Sequence, residues 1–355
     1  MKGLSMNLCI AIFVAGACWL SGSASATRAA ASCASVADPY SLPVASLEAC
    51  GMPVYPRTSV TSLPGGGTQY NYAVNGTAVF FRAPPPGFEP LTATQAQLNE
   101  YGLPARPTDP SASARWSAMM QNLHFVPPPP YLVANPLAHF TDYNSHWSGQ
   151  AATSNSPSAY SSVDATWTEP GTDSNSCSNS PMLGVWVGLG GGVVQDQSSY
   201  ISQDGTAVNV PGFGNHQSWV EDTVLGNPVA ANVYAHPGYG FTAETIWQAG
   251  AMEYHWYLYD GYSGDYQDLY NATSYYNGSS AEAIVERPSV DSPLEDLLQF
   301  SQVNFTPAAN GNAFTGYSTT PIYMTSSGYS NGTPLANPSG IGSNDQFTVT
   351  WKNCS

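Results

Sequence analysis

From Asn144 onward, short runs rich in Val, Tyr, Trp and Thr alternate with breaks of Gly, Asn, Asp, Ser and Pro. Runs of this length and composition, bounded by turn residues, predict strands. They fall at 147–153, 160–168, 184–189, 199–203, 217–224, 233–234, 242–248, 253–260, 267–276, 280–287, 303–306, 322–325 and 346–352. So many strands with turns at short spacing predict an all-β fold, an antiparallel two-sheet β-sandwich of jelly-roll or concanavalin-like kind. The stretch from Thr27 to about Asn135 differs. Pro84-Pro85-Pro86 and Pro127 to Pro130 interrupt it, and it predicts little regular sheet. Two short helices fit there, one around Thr92 to Tyr101 with Gly102 as its stop, another from Ser111 through Trp116 to Asn122. This irregular Pro-rich segment reads either as a linker or as a prosegment over the domain that follows.

The first residues change that choice. Met1 and Lys2, an apolar stretch from Leu8 to Leu20 and the small-residue site Ala24-Ser25-Ala26 form a secretory signal, cut after Ala26. Ala15-Gly16-Ala17-Cys18 lacks the Leu that a lipoprotein box favours, and ranks below simple export. A secreted chain meets an oxidising space with Cys33, Cys50, Cys177 and Cys354. Proximity pairs Cys33 with Cys50, which leaves Cys177 for Cys354. Residues 27–140 hold five Arg and five acids, whereas 141–355 hold Arg287 and Lys352 against nineteen Asp and Glu. Such a surface repels nucleic acid and anionic membranes and suits an acid medium. The expected division is therefore a signal peptide at 1–26, a prosegment at 27–140 and a catalytic domain at 141–355, acting as a monomer.

Most formal motifs dissolve on inspection. Gly188-Leu189-Gly190-Gly191-Gly192 lacks a phosphate-loop Lys and reads as a turn. Gly328-Tyr329-Ser330-Asn331-Gly332 matches a nucleophile elbow in letters, but no helix follows it. The His residues form no H-E-x-x-H, and Asp260, Asp265 and Asp268 with their glycines read as a hairpin turn before a calcium loop. No metal and no cofactor is expected. What remains is carboxylates and amides on strands. In 279–288, SSAEAIVERP, alternation puts Glu282, Ile284 and Glu286 on one face, with the two acids about 13 Å apart and too distant to act on one bond. Any partner for Glu286 comes from another strand. Gln203 in Tyr200-Ile201-Ser202-Gln203-Asp204 and Glu221 in Trp219-Val220-Glu221 are the candidates.

Taken in order, Trp147-Ser148-Gly149, Trp186-Val187-Gly188-Leu189-Gly190-Gly191, Gln203-Asp204-Gly205-Thr206, Trp219-Val220-Glu221, His236-Pro237-Gly238 and Ala281 to Pro288 resemble the glutamic peptidases, also called eqolisins or family G1. Upstream, Gly87-Phe88-Glu89-Pro90-Leu91 and Tyr101-Gly102-Leu103-Pro104 resemble prosegments of bacterial members. The resemblance implies a two-sheet sandwich with a catalytic Gln and Glu on a concave face. Motif position puts the Glu on Glu286 and the Gln on Gln203. Trp147, Trp186, Trp219, Glu221 and Glu282 become supporting or substrate-binding residues. The family follows its Gln with a small residue and Gly, and here Asp204 precedes Gly205, so Gln195 stays an alternative. Gln248 precedes Ala249-Gly250 as the family's Gln does, but it comes after the W-x-E and Pro-Gly elements and is rejected on order.

The implied reaction is hydrolysis of protein or peptide substrates in acid. One carboxylate serves as base and then acid, and one amide steadies the oxyanion without adding a second charge. The prosegment, the chain's own partner, would shield the site until acid-triggered cleavage between about Pro130 and Trp147. Two readings compete: a jelly-roll glycoside hydrolase using Glu221 and Glu286 in a groove of Trp219, Trp256, Tyr254 and Tyr257, and a non-catalytic carbohydrate-binding sandwich.

Overall fold

A computed structural model of the chain describes residues 39–106, 110–134, 145–191, 193, 200–222, 225–273, 275–288, 295–328 and 330–355. The expected signal peptide, Cys33 and Gln195 lie outside the described residues. Two kinds of strand appear. Val303–Ala309 is buried at every second position, the pattern of a strand with one packed and one wetter face. Leu183–Gly190 and Ser280–Glu286 are buried at every position, so both of their faces are covered.

The doubly buried strands lie in the middle of a seven-stranded antiparallel sheet. Its order is Val229–Tyr234, Gly214–Asp222, Ile201–Val210, Leu183–Gly190, Ser280–Glu286, Trp147–Thr153 and Thr319–Ile322. Against one face packs a larger, fourteen-stranded sheet whose centre is Ser162–Thr168, Gly240–Gln248, Glu253–Asp260 and Asp265–Ala272. Between them Val185, Val187, Val220 and Val285 meet Trp167, Phe241, Trp256 and Leu258 in the main core. This is the expected sandwich. Trp147–Thr153 and Glu253–Asp260 form where the pattern put them, while Ile201–Val210 runs well past its expected end at 203.

The upstream segment is more regular than its prolines suggest. Val54–Ser62, Thr68–Val74 and Thr77–Ala83 form an antiparallel meander, and the third strand pairs with Asp265–Ala272, which adds the meander to the larger sheet. Asn75 and Gly76 turn the second hairpin with φ of 50° and 83°, the left-handed pair of a type I′ turn. The proline run is fixed from outside: Arg57 Nη2 donates to Pro128 O at 2.7 Å and Pro129 O at 2.9 Å. The two expected helices form at Gln95–Glu100 and Pro110–Gln121. The first is capped by Thr94, two residues after the expected Thr92, because Gln97 completes a capping box with it. Both lie on the outer face of the larger sheet, where Leu98, Leu103, Trp116 and Met120 cover Tyr257, Tyr259 and Tyr266.

Cys177 and Cys354 form the expected bridge across 177 residues, and no helix among the described residues is long and apolar enough to cross a membrane. The bridge ties the C-terminus to the loop before Leu183–Gly190. Cys354→Ser should cost about 2–5 kcal/mol, because the unfolded chain regains the freedom of a long loop. Thermal melts without reductant check this, and equal melting temperatures for variant and parent would contradict it.

Candidate active site

On one face of an antiparallel sheet, side chains recur every second residue and stand in rows across the strands. The face of the seven-stranded sheet turned away from its larger partner carries three such rows. The first is Glu221, Gln203, Gly188, Glu282 and Ala151. Trp219, Gly205, Trp186, Ile284 and Gly149 form the second, and Gln217, Ala207, Gly184, Glu286 and Trp147 the third.

The first row brings amide and carboxyl together. Gln203 and Glu282 stand two strands apart, with backbones about 10 Å from each other, and the residue between them has no side chain. That gap is tight: a Cβ on Gly188 would lie 3.0 Å from Gln203 Cβ and 3.1 Å from both Ser202 O and Trp186 Cζ3. On the other side Gln203 Nε2 donates to Glu221 Oε2 at 2.7 Å. One N–H of the amide is thus spent on holding it, while its second N–H and its carbonyl oxygen remain for chemistry. Gln203 Oε1 makes no hydrogen bond among the described residues, and the Glu282 carboxyl has the Ser280 hydroxyl beside it. An amide and an acid therefore flank one gap.

Glu286, expected as Gln203's partner, is not in this row. Its own row offers Gly184 and Ala207 across the strands, and the Trp186 indole donates to Glu286 Oε2 at 2.5 Å. Trp186 in turn meets Trp147 edge-on, with ring centroids 5.0 Å apart. The indole bond ties the Glu286 carboxyl to the tryptophan pair. The register is explicit: strand pairing aligns Gly188 with Gln203 and with Glu282, and Glu286, four residues on from Glu282, stands two rows away.

Asp204, the departure beside Gln203, points to the opposite face. There it takes the Thr245 hydroxyl at 2.7 Å between the two sheets, in line with Ser202, which accepts from Trp256 Nε1 at 3.0 Å. It leaves Gln203's register undisturbed. A third buried group, Glu169, accepts from Trp167 Nε1 at 3.0 Å and Thr206 Oγ1 at 2.9 Å and pairs with His216 Nδ1 at 2.6 Å.

Gln203, Glu282 and Glu286 are all 0 % exposed, and burial sets the electrostatics. It pushes Glu221 up to about 8, against the Gln203 hydrogen bond that lowers it, with Asp222 adding repulsion. Burial also lifts Glu282 well above the usual carboxylate range, partly offset by the Ser280 hydroxyl, and lifts Asp204 likewise against Thr245. In acid all three are neutral. Loss of water, more than crowding of like charges, is the cause.

The Peptidase A4 family profile matches residues 145–351, more than half of the chain, and spans all three rows. The chain belongs to the Peptidase A4 family. It is a glutamic endopeptidase of the eqolisin group. No curated protein sequence matches it. Among solved structures, scytalido-glutamic peptidase with a transition state analog inhibitor is similar at 17 % identity, covering 59 % of this chain and 100 % of that one, with a TM-score of 0.46. SCP-B, an eqolisin in complex with the tripeptide Ala-Ile-His, has the same identity and coverage with a TM-score of 0.42. Basic winged bean lectin with Tn-antigen follows at 7 % identity, 73 % and 93 % coverage and a TM-score of 0.20. The family match carries the assignment.

In this peptidase the glycosidase geometry is absent. Glu221 and Glu286 are three strands and two rows apart, beyond about 14 Å, whereas paired glycosidase carboxyls stand about 5–9.5 Å apart. Its supposed groove is divided too, because Trp219 is on the row face, Tyr254 and Trp256 lie in the main core, and Tyr257 lies under the upstream helices. Gln248 ends a strand of the larger sheet, away from the rows. Asp260 takes His236 Nδ1 at 2.8 Å and Ser263 Oγ at 2.8 Å, Asp265 takes His124 at 2.7 Å and Asp268 pairs with His255, so the three face different neighbours. The reading of Gly188 to Gly192 as a turn does not hold at its start, because Gly188, Leu189 and Gly190 lie inside the strand Leu183–Gly190. Gly188 shares Trp186's face there.

Two measurements test this geometry. Gly188→Ala should cut kcat roughly 10–100-fold by displacing Gln203, at about 1–3 kcal/mol of stability, since overpacking costs are of that order. Unchanged turnover would remove Gly188 from the site. The second concerns pH. Folded-state pKa values raised above unfolded ones near 4 give stability that is complete below about pH 4 and is lost as pH climbs through the folded values, about 8 for Glu221. The melting temperature should fall from acid toward pH 8, and Asp204→Asn should flatten the fall. A variant as pH-sensitive as the parent would show that Asp204 ionises freely.

Proposed function

We propose that this peptidase is secreted, works in acid, and hydrolyses internal peptide bonds with Glu282 as base and acid and Gln203 as oxyanion donor. The reading rests on one observation: Gln203 and Glu282 flank the side-chain gap at Gly188 in a single row. Glu282 takes a proton from water as its oxygen attacks the scissile carbonyl carbon. Gln203 donates its second N–H to the oxygen that gains charge. Glu282 then returns the proton to the amide nitrogen as the C–N bond breaks, which restores the carboxylate. Glu221 is a positioning residue, gripping the first N–H so that the second has one direction.

Closure of the face bears on when this happens. While the row is sealed, burial keeps Glu282 protonated and unable to accept a proton from water. Admitting water and substrate relaxes that burial and lets the base ionise at lower pH. A precursor with the site covered is inert on these grounds alone. The apparent signal at 1–26 and the acid-rich domain fit release into an acidic exterior.

Variants discriminate between the two acids of the motif. On an unfolded protein substrate in acid, Glu282→Gln and Gln203→Ala should each lower kcat by about 10²–10³-fold or more. Glu286→Gln still accepts the Trp186 N–H and should stay within about 10-fold of the parent. The opposite ranking, with Glu286→Gln dead and Glu282→Gln active, would return the base to Glu286.

A further inference from the structure

The residues ahead of the family match do two different things in the fold. From Val54 to Ala134 they build its interior. Val79, Phe80 and Phe81 pair with Asn271, Tyr270 and Leu269, and Phe80 stacks on Tyr270 at 4.9 Å between centroids. Tyr72, Val74, Val79, Phe81, Leu132 and Ala134 are buried to 2 % exposure or less in the same core as Leu225, Val229 and Leu269. Polar groups cross as well. Asn75 Nδ2 donates to Leu225 O at 2.8 Å, His124 N to Gly264 O at 2.7 Å, and Val126 N to Tyr266 O at 3.0 Å. Ala134 makes a bridge with Val229 on the edge of the seven-stranded sheet. Clearance is minimal: a Cβ on Gly102 would lie 1.8 Å from Asp268 Oδ1. Continuous strand pairing and a shared apolar core are marks of one domain, and a detachable cover has neither. This part also lies on the far side from the first row.

The stretch before Val54 is attached otherwise. Leu47 and Met52 pack on Val133, itself part of the upstream region. Tyr40 reaches the row face, packing against the cluster of Trp147, Trp186 and Trp219. Its hydroxyl donates to Ala230 O at 2.6 Å, and Ala230 is Trp219's neighbour in the second row. Among the described upstream residues, Tyr40 is the contact with that cluster.

We propose that residues 54–134 stay in the active enzyme as part of its fold, and that activation removes only the stretch ahead of Val54, which Tyr40 anchors at the tryptophan face. The activation half rests on the peptidase reading above; the retention half does not. A cut between 134 and 145 would nick the chain without releasing the earlier piece.

Retention is tested on the full chain carrying Glu282→Gln, with a site-specific protease recognition sequence substituted within 135–144. After cutting, the two pieces should co-elute on gel filtration in acid buffer and separate in concentrated urea. Elution of the later piece alone, with folded near-ultraviolet circular dichroism, would overturn the proposal. The second arm activates the parent precursor in acid and analyses the active species by intact mass. It should contain residues 54–134, with its first new N-terminus ahead of or at Val54. An active species that begins between 130 and 147 and lacks 54–134 would overturn it. A precursor with no peptidase activity under any condition would sink the activation half together with the catalytic reading, and co-elution in the first arm would still uphold retention.

Discussion

Everything at the active face depends on the register with which Leu183–Gly190 is clasped between Ile201–Val210 and Ser280–Glu286. A one-residue slip would turn Gln203 and Glu282 into the sandwich core and bring Asp204 out. A two-residue slip would keep the faces but set Trp186 between the amide and the acid. Hydrogen bonding alone does not choose among these registers. Packing on both faces does: Val185 and Val187 seat in the main core while Trp186 seats against Trp147 and under Glu286. The tryptophan pair and the gap at Gly188 are therefore set by the same pairing.

Behind this row the protein keeps carboxyl groups where water cannot reach them. Asp204 lies between the sheets, Glu221 accepts from the Gln203 amide and Glu282 stands beside Gly188, all buried and all raised in pKa. A neutral carboxyl is an inexpensive polar group to bury in acid, and an ionised one is costly. The arrangement that holds Gln203 therefore becomes costlier as these carboxyls ionise.

The sequence made the sandwich and much of the site legible, for identifiable reasons. Strands with Gly-, Asn- and Pro-rich breaks are a local signal, and Trp147–Thr153 and Glu253–Asp260 lie where local pattern put them. Gln203 and Glu221 were reached through motif order. Which row each of Glu282 and Glu286 occupies was beyond local pattern, because both share a face and pairing with a strand about a hundred residues away places them. The upstream meander was within reach: Asn75-Gly76 between Tyr72-Ala73-Val74 and Val79-Phe80-Phe81 is a strong hairpin signal. The neighbouring proline runs obscured it, and their fixation by Arg57 is a tertiary contact.

A fourteen-stranded sheet with a seven-stranded partner has four lateral edges, each a template for pairing with another molecule. The larger sheet ends in Met324–Thr325 on one side and Tyr131–Val133 on the other, strands of two and three residues. The smaller sheet ends in Thr319–Ile322, which contains Pro321, and in Val229–Tyr234, where Ala134 bridges Val229. Three edges are thus too short or too interrupted to seed a growing ladder, and the fourth is blunted by the upstream segment. In a protein this rich in β-structure the margins are where strand addition is blocked, and that protection includes Ala134, a residue ahead of the family match.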